Sequence, residues 1–286
     1  MNCKIPQFGS RKELFNFLRE NKELLMMQKT SAIKHGDSFY YNPPAGDASD
    51  HATKEVGIIQ SADINMLNVK AAINTTNFLD GHGDVHIPGL WKKNLKEQTG
   101  NRYALECHQQ KFENVMASGS DVRAYTKTMT WKSLGYEFEG STEVLIYDFD
   151  LKANRNAKMF EQYKNGWVYN HSVGMYYVKA FFCVNSEEKW WRDEKENFDK
   201  YYPQIVNQEV ADENGFFWAV TEAKTVEGSA VLFGSNSATP TLSVTEQNEQ
   251  TEDIAEAGKS TSDNHNEPPV GTRSTEIKNF SNTKFF

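Results

Sequence analysis

Cysteine is scarce in this chain. Cys3, Cys107 and Cys183 are the three in 286 residues, widely spaced and odd in number. They form no CxxC pair and no disulfide framework, which fits a reducing cytosol. Long apolar runs are also missing. None approaches the ~18 residues that a membrane span needs, so no membrane partner is expected. Positive charge is in deficit: the net charge is −8 and the isoelectric point about 5.5. General nucleic-acid binding wants a basic face and is not expected here. The opening MNCKIPQFGSRKE has no apolar h-region, so the chain is not expected to be secreted. Hydrophobic residues make up 38% and the mean hydropathy is −0.69, so part of the chain is expected to lie outside any core.

Three regions follow from composition. Residues 1–55 read as an N-terminal helix and a linker. Ser10 and Glu13 form a capping box, and Leu14, Phe17, Leu18, Leu24 and Leu25 recur at helical spacing. The helix either packs on the domain or docks on a partner. Tyr41 to Asp50 is rich in turn residues. Residues 56–240 read as the folded domain, with strand signals at Val56–Ile59, Met66–Ile73, Arg102–His108, Val122–Thr130, Thr142–Leu151, Phe216–Val220 and Thr225–Phe233. Helices are expected at 88–99, 154–162 and 186–202, the last capped by Ser186 and closed by Pro203. Residues 241–286, dominated by Ser, Thr, Asn and Glu, read as a disordered acidic and polar tail.

The stretch YKNGWVYNHSVGMYYV, Tyr163 to Val178, organises the domain. Lys164-Asn165-Gly166 is turn chemistry, and an aromatic, β-branched run follows. Alternation places Asn170, Ser172, Gly174 and Tyr176 on one face and His171, Val173 and Met175 on the other. Gly174, with no side chain, leaves room beside the Ser172 hydroxyl. A small residue in a structural strand is the alternative. Asp80, His82, Asp84 and His86 form a second group of interest. They suit either a metal site or a turn whose carboxylates accept backbone N–H bonds. Zinc wants three or four convergent ligands, and no further His/Cys cluster supports it, so no metal or cofactor is assigned.

Three blocks, taken in order, resemble the prohead maturation proteases of tailed bacteriophages. They are FLDGHGDVHIPGLW (Phe78–Trp91), YALECH (Tyr103–His108) and HSVGM (His171–Met175). A fourth, KTVEGSAVLFGSN (Lys224–Asn236), resembles the closing Glu-x-Ser-x-Val strand of that family. Leu90-Trp91 and Gly228 depart from the usual pattern. The family looks like herpesvirus assemblin in fold. The resemblance therefore implies a mainly β, α+β domain built on a closed antiparallel β-barrel with helices around it.

It also implies a serine endopeptidase. Ser172 would be the nucleophile, His108 the general base and Glu227 the group orienting the histidine, with Glu222 the second choice for that role. A serine needs a base to take its proton, and the base needs a partner to fix its tautomer. The substrates implied are the phage major capsid protein and scaffold protein, cut inside the procapsid in the host cytoplasm during head maturation, together with self-cleavage. A homo-oligomer is compatible. The alternatives are a non-catalytic capsid assembly factor and a metal-dependent hydrolase using His82, His86 and His108.

Overall fold

The computed structural model describes residues 5–31, 33–34, 65–98 and 102–247. The Val56–Ile59 strand signal, the expected domain start and the chain beyond 247 lie outside them.

Helix α1 (Arg11–Ser31) starts where the capping box predicts. The Glu13 N–H donates to Ser10 Oγ at 3.3 Å, and the Gly9 N–H donates to the Glu13 carboxylate at 3.2 Å. Its apolar stripe is packed within the domain: Leu18 and Leu25 are buried with Phe182, Val184, Trp191 and Trp218. Of the two readings of this helix, the described residues show packing.

The strands are β1 (Met66–Thr75), β2 (Asp84–His86), β3 (Tyr103–Glu106), β4 (Val115–Ser118), β5 (Val122–Thr130), β6 (Ser141–Lys152), β7 (Asn170–Val184), β8 (Phe216–Val231) and β9 (Thr241–Gln247). Four further helices are α2 (Lys92–Glu97), α3 (Ala157–Lys164), α4 (Arg192–Tyr201) and α5 (Gln208–Asn214). Asn156 caps α3, accepting from the Met159 N–H at 3.0 Å. Ser186 does not cap α4, because a 3₁₀ turn at Lys189–Trp191 intervenes.

The closed antiparallel barrel is not what forms. Among the described residues there are two open sheets in a mixed α+β fold. One runs β5-β6-β1-β9. The other places β7 along one edge of β8, with β2 and β3 on its other edge and β4 beyond β3. Both β2 and β3 run parallel to β8, so this sheet is not purely antiparallel either. Among the described residues, the one β-bridge that joins the two sheets is Asn170 to Pro240, where β7 meets the start of β9. Pro240 has no N–H to extend a ladder, which limits the seam at that point.

Residues 241–247, placed in the polar tail by composition, form β9. The strand pairs with β1 from Met66↔Gln247 to Ala71↔Thr241. Alternating Thr, Val and Ser suit a half-solvated edge as well as a tail, and composition alone does not separate the two.

The core between the layers is built by Leu67, Val69, Ala71 and Ile73 of β1, Leu145, Tyr147 and Phe149 of β6, and Val173, Met175 and Tyr177 of β7. Gly228 of β8 faces this core. A Cβ there would stand 2.8 Å from Tyr147 Cδ2 and 3.0 Å from Ile73 Cδ1. Glycine at this position therefore makes way for a buried tyrosine. On the other half of the β7–β8 ribbon, Phe198 and Tyr201 of α4 bury against Phe217, Ala219, Leu79 and Val85. Trp190 is exposed under the Arg19 guanidinium, and the next residue, Trp191, is buried against α1 with Leu18 and Phe182.

Candidate functional site

The site is assembled on the β7–β8 pair. These strands are 15 and 16 residues long and pair along almost their whole length. Ser172 stands directly opposite Ser229, and Gly174 directly opposite Glu227. Directly opposed residues of antiparallel strands project to one face, and so do residues two apart on one strand. Ser172, Gly174, Glu227 and Ser229 therefore share a face. Gly228 and Val173 point the other way, into the core.

The glycine at 174 has a different use from the one its position suggests. A Cβ on Gly174 would stand 2.1 Å from Glu227 Oε1. The space beside Ser172 is thus filled by the Glu227 carboxylate. No other residue type leaves that space without displacing Glu227.

His108 reaches this face from the end of β3. Glu106, the last residue of β3, pairs with Ala230, and the Cys107 N–H donates to the Ala230 carbonyl at 2.9 Å. Cys107 and His108 both adopt left-handed conformations, with φ of 50° and 57°. Two consecutive non-glycine residues in that region are uncommon and carry strain of roughly 1–3 kcal/mol each. The sharp reversal carries the imidazole back over β8. His108 Nδ1 lies 2.5 Å from Glu227 Oε1, and both side chains are buried. A carboxylate only accepts, so Nδ1–H donates, which leaves Nε2 as the basic nitrogen.

Ser229 completes the arrangement. Its hydroxyl donates to Glu227 Oε2 at 2.6 Å and accepts the His108 backbone N–H at 3.1 Å. After β8 the chain turns back over Ser172 at Gly234, where a Cβ would stand 3.8 Å from Ser172 Cβ. The structure thus gathers the three predicted residues at one end of one strand pair. His108 and Glu227 are in direct contact, and Ser172 lies across the ladder from the serine that touches both.

Glu222, the second choice for the orienting acid, is excluded by place. It sits farther along β8, opposite Lys179, and accepts from Lys93 Nζ at 3.0 Å. His171 lies on the core side of β7. Its Nε2 is 2.9 Å from the Tyr163 hydroxyl, and its Nδ1 is 3.3 Å from the Thr239 carbonyl.

Burial pushes the His171 imidazole down to about 4 from its ordinary 6.5. His86 is shifted in the same direction by its own burial. The unfolded chain therefore binds protons that the folded chain does not as the pH falls below 6.5. Stability is fully present above that value and is lost as the pH falls through 4. For His171 alone this corresponds to about 3 kcal/mol. The urea midpoint is expected to fall steeply between pH 6.5 and 4.5, and His171→Gln is expected to flatten the slope. A midpoint constant across that window would contradict this account.

The Asp80–His86 segment is built as a turn leading into β2. Asp80 Oδ1 accepts the backbone N–H groups of His82 at 2.8 Å and Asp84 at 3.0 Å. Asp80, His82 and Asp84 bring possible ligand atoms within 4.8 Å of one another. However, the Lys29 ammonium already pairs with the buried Asp84 carboxylate and donates to the His82 carbonyl at 3.0 Å. Burial alone would raise the Asp84 carboxyl. The Lys29 charge and the Tyr177 hydroxyl, which donates to Oδ2 at 2.8 Å, hold it below the usual range instead. Tyr177 continues to His86 Nε2 at 3.2 Å, and Asn74 contacts His86 Nδ1 at 2.7 Å. His86 lies on β2, opposite Val220, whereas His108 follows β3, at Ala230. His82 and His86 thus share one network near the start of β8, while the third histidine of the metal-hydrolase alternative, His108, is held at the other end of the strand.

Sequence reasoning missed Ser229 as a member of the site. The signal for it was present: Glu227 and Ser229 are two apart on a strand and must share a face. The Lys29–Asp84–Tyr177–His86–Asn74 chain was also missed, and no local pattern announces it, because its members come from four separate elements. Among the described residues no helix is long and apolar enough to cross a membrane. Comparison of the chain with protein-family models, with curated proteins and with solved structures gives no match.

Proposed function

We propose that this chain is a serine endopeptidase of the prohead-maturation kind. It would cut scaffold and capsid-protein tails inside an assembling procapsid in the host cytoplasm, and itself. The observation that carries the reading is the buried His108–Glu227 pair, closed at 2.5 Å on the face of β8 that Ser172 shares across the ladder. The order of the sequence blocks supplies the phage context.

In the mechanism this reading implies, His108 Nε2 takes the Ser172 proton as the hydroxyl attacks a peptide carbonyl. His108 then returns the proton to the leaving amine. Glu227 holds Nδ1–H, which keeps the basic lone pair on Nε2 and balances the imidazolium as it forms. Both partners are buried, so the hydrogen bond acts in a low-dielectric setting.

A fluorophosphonate probe tests the reading. Covalent labelling at Ser172 that is lost in His108→Ala is the expected result. Absence of labelling in the folded protein would favour a non-catalytic assembly factor, and chelator-sensitive hydrolysis would favour a metal enzyme.

A further inference from the structure

Two serines face each other across β7 and β8, and the hydrogen bonds of Ser229 set it apart from the role of nucleophile. Ser229 is buried near the end of β8, with its proton committed to Glu227 Oε2 at 2.6 Å and a lone pair to the His108 N–H at 3.1 Å. A hydroxyl that donates to a carboxylate is not delivering its proton to an imidazole. We propose instead that Ser229 is a positioning residue, which fixes the His108–Glu227 pair from both ends at once. The proposal rests on the endopeptidase reading.

The physical case has two parts. Glu227 needs a fixed rotamer to meet His108 with Oε1. The Ser229 bond to Oε2 holds the carboxylate plane, and the bare Gly174 opposite gives it space. His108, in turn, is held in a left-handed conformation that its side chain does not favour. At that turn its backbone N–H is satisfied by the Ser229 hydroxyl, while the preceding N–H is satisfied by the Ala230 carbonyl. One hydroxyl therefore couples the backbone that aims the imidazole to the carboxylate that orients it. Without it the His108 N–H loses this acceptor and the carboxylate gains rotational freedom.

The test is a double-mutant cycle. Ser229→Ala is expected to lower kcat by ~10–10², the usual loss when an outer hydrogen-bond partner of a catalytic group is removed, with KM little changed. In a Glu227→Gln background the same substitution is expected to cost almost nothing further, because the pair it serves is already broken. Equal losses in both backgrounds would overturn the proposal, as would normal turnover of Ser229→Ala.

A second readout does not depend on activity. The low-field proton resonance of His108 Nδ1–H should move or broaden in Ser229→Ala, while the resonances of His171 and His86 stay in place. An unmoved His108 resonance would also overturn the proposal. If Ser229→Ala does not fold, the wild-type chain carries the test: the His108 backbone amide should exchange slowly, and exchange at the rate of an open turn would be decisive against the clip. Should wild-type protein neither label at Ser172 nor cleave, the endopeptidase reading falls, while the resonance and exchange measurements still decide the clip.

Discussion

Ser172→Ala and His108→Ala are each expected to abolish proteolysis while leaving the fold intact. Nucleophile and base act as one unit, so loss of either should remove most of the rate, on the order of 10⁶ where such a unit operates. Neither change should unfold the protein. Ser172 is small and already faces a glycine at 234, and alanine fills nearly the same volume. His108 lies at the end of a turn whose backbone bonds, Cys107 N–H to Ala230 and Gln109 N–H to Glu106, do not involve its ring. Removing the ring does leave Glu227 buried with one partner fewer, so His108→Ala should be the less stable of the two. The measurement is cleavage of capsid-protein tails by purified variants, with circular dichroism as the fold control. Normal cleavage by Ser172→Ala would end the endopeptidase reading.

The strands that carry the site were legible in the sequence, and their arrangement was not. Val122–Thr130 matches β5 to the residue, and Thr142–Leu151 lies within β6, because both are β-rich runs bounded by turn signals. The Ser172 strand was legible from Asn170 onward, along with the opposite facing of Ser172 and His171. Strand β8 read as two pieces because Thr221, Glu222 and Lys224 interrupt its apolar run. Glu227, inside the second piece, is a buried carboxyl group held by His108 and Ser229.

The barrel expectation came from the resemblance and failed on pairing partners, which local patterns do not encode. A three-residue strand such as β2, within a glycine-rich turn, has no periodicity to read, yet it sets the parallel edge of β8. Closure depends on such long-range pairings. The facing of side chains within one strand depends only on its period of two, which is why the site was more legible than the sheet that holds it.

Glu227→Gln and His171→Ala should have opposite effects on rate and stability, and the pair separates the acid that shares a face with Ser172 from the histidine beside it in sequence. An amide at 227 retains the volume beside Gly174 but not the charge. It can present its NH₂ group to His108, which would favour the tautomer with the proton on Nε2, the wrong nitrogen for a base. Turnover should fall by ~10²–10⁴, the usual scale for loss of an orienting carboxylate. Because one fewer charge is buried, Glu227→Gln need not destabilise the fold.

His171 faces the core instead. Its ring stacks on Tyr163 with centroids 6.1 Å apart, and it holds the Tyr163 hydroxyl and the Thr239 carbonyl. Alanine there leaves a cavity and an unpaired tyrosine hydroxyl, a loss of about 1–3 kcal/mol in stability. Assayed well below its melting temperature, however, His171→Ala should keep turnover within a few-fold of wild type. Single-turnover kinetics on both variants, with melting temperatures measured alongside, give the ranking. Inactive His171→Ala with near-normal Glu227→Gln would mean that the imidazole beside Tyr163, and not the one held by Glu227, serves Ser172.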